Sequence, residues 1–235
     1  LILGMATVTG AHASSVLFNL VGGDEIITDD ATNLITPLNN SDNNDVLGAG
    51  FKLLNGAGIE TEGTVGPNQR IRLDFFYLGA ESSFVNTLNV GGTGVTGGGS
   101  FDEDSTIPAT PQFLFSAVQA APASLNDNIE FTSDGFVGAL KPAVVSDILG
   151  IAFAYLDLNC FLTTGASTCA NGVKSSTVLF ALDDGGASED DNHDDFVGYI
   201  TATVVPLPGA AWLFGTILLG LAGFNSRKRR VAANV

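Results

Sequence analysis

The run Arg70-Ile-Arg-Leu-Asp-Phe-Phe-Tyr77 sends Ile71, Leu73, Phe75 and Tyr77 to one side and Arg70, Arg72, Asp74 and Phe76 to the other. A period of two suits a strand with one face on a core, and it suits no helix. Asn128–Ser133 and Thr177–Leu182 repeat the period, and 196–205 is β-branched and aromatic. Gly150–Leu156 is an unbroken apolar run, which reads as a strand buried on both faces. Clusters of turn residues at 39–45, 55–58, 91–100, 107–111 and 183–195 separate these runs. No ten-residue stretch between the termini carries a helical stripe. Ala139–Leu149, with Pro142 near its first turn, is the one place for a short helix. The expected fold is all-β: a single β-sandwich, jelly-roll-like, with the glycine-rich stretch 91–99 as a long loop inside it.

Charge narrows the partners. The chain has 9 basic and 25 acidic residues, a net of −16, and four of the nine cations stand together at 227–230. Such a surface has no footprint for nucleic acid and attracts divalent cations. With 45% hydrophobic and only 14% charged residues, the chain is not of disordered composition.

Both ends read as targeting segments. Residues 1–13 are apolar and small and run into Ala11-His12-Ala13, the second half of a secretory signal peptide cleaved after Ala13. No initiator Met or basic n-region precedes it, as expected of a sequence whose first residues are missing. At the other end, 209–224 is an apolar helix spanning roughly 24 Å, short against a hydrocarbon core of about 30 Å. Trp212 suits the outer interface, and Arg227-Lys228-Arg229-Arg230 fixes the C-terminus on the cytoplasmic side. The expected organisation is a signal-peptide remnant (1–13), an exported β-sandwich (14–205) and a tail (206–235) holding a short transmembrane helix.

The tail Val205-Pro206-Leu207-Pro208-Gly209-Ala210-Ala211-Trp212-Leu213-Phe214, followed by its helix and the four cations, resembles the VPLPA variety of PEP-CTERM sorting signals. Gly209 stands where Ala is commoner. The resemblance covers about thirty residues. It implies processing near the Pro motif by exosortase, a membrane cysteine-protease-like enzyme, in a Gram-negative bacterium that makes exopolysaccharide. The chain would be held first in the inner membrane by its helix, and would reach the cell envelope, outer surface or extracellular matrix. Residues 181–187 with 191–197, and 74–88, are more loosely similar to segments of the same group, which carries no common activity.

In an exported chain, the only two cysteines, Cys160 and Cys169, read as a disulfide closing a hairpin loop across a Gly/Ser/Thr turn. Gly92-Thr93-Gly94-Val95-Thr96-Gly97 spells the dinucleotide fingerprint. That motif needs a strand before it and a helix after it, and an acidic glycine-rich loop follows instead, so no dinucleotide site is read. No nucleophile elbow is present, and His193 is the sole candidate base after the leader.

The most informative stretch is Asp183–Asp195, with seven carboxylates in thirteen residues and no Lys or Arg. Oxygen-rich, turn-rich loops are what hard cations take, so Asp183, Asp184, Asp190, Asn192 and Asp194 are candidate calcium ligands. Asp190, Asn192 and Asp194 follow the 1, 3, 5 spacing of an EF-hand. Asp195 where Gly is required, and Thr201 where the closing Glu belongs, exclude that loop type. The competing reading is a solvated acidic loop that keeps the protein soluble. The cluster Asn39–Asp45 reads as an Asx-rich turn.

The function expected is that of a non-enzymatic surface or extracellular-matrix protein associated with exopolysaccharide or another cell-envelope glycan, with calcium-assisted binding. A self-associating structural surface protein without a specific ligand is the alternative, and a polysaccharide hydrolase stands third.

Overall fold

The computed structural model describes residues 15–28, 50–66, 69–80, 85–103, 108, 110–133, 143–144, 151–182 and 195–206. Its strands are β1 (Ser15–Val21), β2 (Asp24–Ile27), β3 (Lys52–Asn55), β4 (Gly58–Thr64), β5 (Gln69–Gly79), β6 (Asn86–Val90) and β7 (Val95–Gly97). There follow β8 (Gly99–Asp102), β9 (Gln112–Gln119), β10 (Ile129–Ser133), β11 (Ala143–Val144), β12 (Ile151–Tyr155), β13 (Thr177–Leu182) and β14 (Phe196–Pro206). Helix α1 (Leu158–Thr164) and a 3₁₀ turn (Ser167–Cys169) lie between β12 and β13. The fold is all-β, as the alternating runs require.

Eight strands form one sheet in the order β2-β3-β12-β13-β14-β5-β9-β7. A four-stranded sheet, β11-β10-β6-β8, and the pair β1-β4 supply a second layer. The main core lies between the layers, where Ile71, Leu73, Phe75 and Tyr77 are buried as their alternation predicts. Aromatic rings join the layers: Tyr77 meets Phe101 at 5.0 Å, and Phe131 meets Phe180 and Phe196 at 5.8 and 5.9 Å. Offset and edge contacts of this kind add to the area they bury.

The outer face of the large sheet has a core of its own. Ala152, Ala154, Leu179 and Ala181 lie under Phe161 of α1 and Cys169 of the 3₁₀ turn. The small alanines leave room for the helix to approach. Strand β12 is therefore buried throughout, as its unbroken apolar run predicts. Strand β13 corrects the expectation: its alternation suggested one exposed face, but every residue is buried because α1 covers the other side.

Three local expectations are also corrected. The Cys160–Cys169 disulfide forms, yet it ties α1 to the 3₁₀ turn and closes no hairpin. Asp157 starts the helix by accepting from Cys160 N at 3.0 Å, and Gly165 ends it in the left-handed conformation. Within 139–149, Ala143 and Val144 pair with Phe131 and Glu130 as a strand, not as the middle of a helix. The glycine-rich stretch is no long loop. It carries β7 in the large sheet and β8 in the small one, with Gly98 (φ 90°) as the corner between them.

Candidate functional site

Strand registers bring several strand ends together at one end of the two-layered fold. Strand β5 finishes at Gly79 opposite Val197, and β13 finishes at Leu182 opposite Phe196. In the smaller sheet Asn86, at the start of β6, faces Ser133 at the end of β10, and Thr87 faces Asp102 at the end of β8. Asn86 ties the layers together here, its Nδ2 donating to the Asp195 carbonyl at 3.3 Å. The segments joined to these strand ends carry Glu81, Glu103, Asp104, Asp134 and the seven carboxylates of 183–195, against Lys141 alone among Lys and Arg.

Among the described residues of this group, Glu103 is held deep, at 4% exposure. Its Oε1 accepts from Asn86 N at 3.3 Å, and its own N–H donates to Asn86 O at 2.9 Å. A buried carboxylate needs such donors to offset its lost hydration. Sequence reading missed Glu103, since nothing in its neighbourhood separates a buried acid from an exposed one.

Of the candidate cation ligands, Asp183, Asp184, Asp190, Asn192 and Asp194 lie outside the described residues. The stems of their segment are fixed, because Leu182 and Phe196 pair directly. Among the described residues no three His, Cys, Asp or Glu side chains converge as a metal site.

The opposite end holds the first and last of the described residues, Ser15 and Pro206. Ser15 pairs with Thr64, a turn closed by Gln69 N to Gly66 O at 3.0 Å leads into β5, and Gln69 pairs with Pro206. Val205 and Pro206, which the sequence reads as the start of a sorting motif, are the last residues of β14. Leu207, Pro208, Arg227, Lys228, Arg229 and Arg230 lie outside the described residues, as do 1–14 and 209–224. Among the described residues no helix is long and apolar enough to cross a membrane. An open groove beside α1, of about 540 Å³, is lined in part by Asp157, Asn159, Asn171 and Lys174. Its cation is already engaged, since Lys174 Nζ lies 2.8 and 2.9 Å from the two carboxylate oxygens of Glu62.

A third feature lies on the outer face of β14, β5 and β9. Phe76 stacks on Tyr199 at 4.7 Å and meets the edge of Phe113 at 5.5 Å. Tyr199 is buried, and burial pushes its phenol up to about 12, because the phenolate would lose its hydration. Phe113 is 48% exposed. Further along β5, Asp74 Oδ1 accepts from Arg72 Nε at 2.7 Å and from Ser116 Oγ at 2.5 Å. The alternation of 70–77 already placed Arg70, Arg72, Asp74 and Phe76 on one face. That Phe113 and Ser116 join them depends on the β5–β9 register.

Comparison of the chain with known protein families, with curated proteins and with solved structures finds no match in any of the three.

Proposed function

We propose that the chain is an exported, non-enzymatic surface or extracellular-matrix protein whose domain associates with exopolysaccharide, with calcium bound by the acidic segment 183–195. In this reading the two-layered β domain is of jelly-roll type. The tail beyond Pro206 is an exosortase-processed sorting signal, with 209–224 as its short membrane helix. The observation that carries the reading is the strand register: Ser15 and Pro206 lie at one end of the domain, and Leu182 and Phe196, the stems of the acidic segment 183–195, pair at the other. A domain tethered by its tail would hold that acidic end outward, where divalent ions bridge carboxylates and glycan hydroxyls. The disulfide agrees with an oxidising compartment.

Extracellular calcium sites bind at about 10⁻⁴–10⁻³ M, so a few millimolar calcium would add roughly 1–2 kcal/mol to folding. The test is co-sedimentation of the full chain, in detergent micelles, with exopolysaccharide from its own host in calcium and then in chelator. Capture in calcium that Asp190→Asn/Asp194→Asn abolishes is the expected result. Equal capture in chelator would remove calcium from the reading. No capture in either condition would leave the self-associating structural protein, which sedimentation at rising concentration would then reveal.

A further inference from the structure

We infer that the outer face of β14, β5 and β9 is a second glycan-binding surface, one that takes an acidic polysaccharide without calcium. The inference rests on the glycan-associated reading above, but on different residues. Five cations belong to 14–205, and two of them, Arg70 and Arg72, are neighbours on one face of β5. Lys52 and Lys174 are paired with Glu25 and Glu62. Arg70 has no acidic partner among the described residues, and Arg72 engages Asp74 through Nε, which leaves its terminal nitrogens available. The positions across from these arginines, Val205 and Thr203 on β14 and Val118 on β9, are uncharged.

Guanidinium groups recognise carboxylates bidentately, so this is where a uronate fits. From Arg70 to Phe76 the strand runs about 20 Å, long enough for several sugar units. At the far end Phe113 offers an open ring fixed by Phe76, which is itself clamped by Tyr199. The negative face of such a ring suits the C–H face of a pyranose. Asp74 and Ser116, between the two, present a carboxylate and a hydroxyl to sugar hydroxyls. Leu182 and Phe196, the stems of the acidic segment 183–195, lie at the Gly79 end of β5, roughly 30 Å along the strand from Arg70. That exceeds the Debye length of about 8 Å at physiological salt, so charge attached at those stems acts only weakly on Arg70.

The test is affinity electrophoresis of the full chain in detergent through polygalacturonate and through neutral dextran, both in chelator. Retardation by polygalacturonate alone is expected, weakening as salt rises. Arg70→Gln/Arg72→Gln and, separately, Phe113→Ser should each lower affinity about tenfold or more while leaving the melting temperature within two degrees. Equal retardation of wild type and the arginine variant would overturn the inference, as would binding to phosphatidylglycerol vesicles with none to polygalacturonate. The two readings fail separately. Calcium-dependent capture of host exopolysaccharide that is indifferent to the arginine variant keeps the first and removes the second. Absence of capture by any glycan removes both.

Discussion

Tyr199 shows how one side chain reports on its surroundings. Its phenol is buried under Phe76 and titrates near 12 instead of 10. The folded state therefore holds its proton over a range in which the unfolded chain has released it. Stability is unaffected below pH 10 and falls as pH rises towards 12, by up to about 1.4 kcal/mol per unit. Denaturant titrations of wild type and Tyr199→Phe at pH 8 to 12 should diverge only above 10, with the phenylalanine variant losing less. The inner residues of β5 were legible from alternation alone because burial on one face leaves a two-residue period. Their partners on β9 were not. A register shift between Phe75 and Phe76 decides that Phe113, rather than its neighbour, meets Phe76, and a bulge of this kind leaves no mark in a single strand's pattern.

At the scale of elements, the misread segments were short ones. Helix α1 has seven residues, too few for a hydrophobic stripe, and it survives because Phe161 and the disulfide hold it on the sheet. Its end signals, Asp157 and Gly165, stand in the sequence, but they are also ordinary loop residues. Replacing both cysteines by serine should cost about 2–3 kcal/mol from loop-closure entropy, read as a lower denaturant midpoint. Hydrogen exchange should rise first at the α1 amides. Gly98 is a sharper test. A Cβ there would overlap the carbonyl of Val90, and the positive φ adds strain for any L side chain. Gly98→Ala should therefore destabilise by about 2 kcal/mol or more, with the loss of protection centred on β7 and β8. The stretch that carried a spurious dinucleotide fingerprint is the place where the chain changes sheets.

For the whole molecule, the acidic stretch was legible as composition and illegible as location. Composition singled out 183–195 within one segment. Only the pairing of β6, β8 and β10 with one another, and the hydrogen bond from Asn86 to Asp195, brings Glu103 to the end where Leu182 and Phe196 pair. Two long-range measurements check this geometry. Energy transfer between dyes at Ser15 and Pro206 should be efficient, and transfer between dyes at Ser15 and Asp195 weaker, since β14 separates Asp195 from Pro206 by roughly 36 Å. Millimolar calcium should raise the melting temperature by several degrees in wild type and not in Asp190→Asn/Asp194→Asn.

Strand β14 lies inside the large sheet, flanked by β13 and β5 and hydrogen-bonded to β5 almost from end to end. Any load applied at Pro206 runs along the strand axis. It pulls on both ladders in shear, so their hydrogen bonds must give way together and cannot open one at a time. A protein held at that end would resist traction far better than its equilibrium stability suggests, because forced unfolding is governed by a rate. For a molecule held there, anchorage would be a mechanical property of β14.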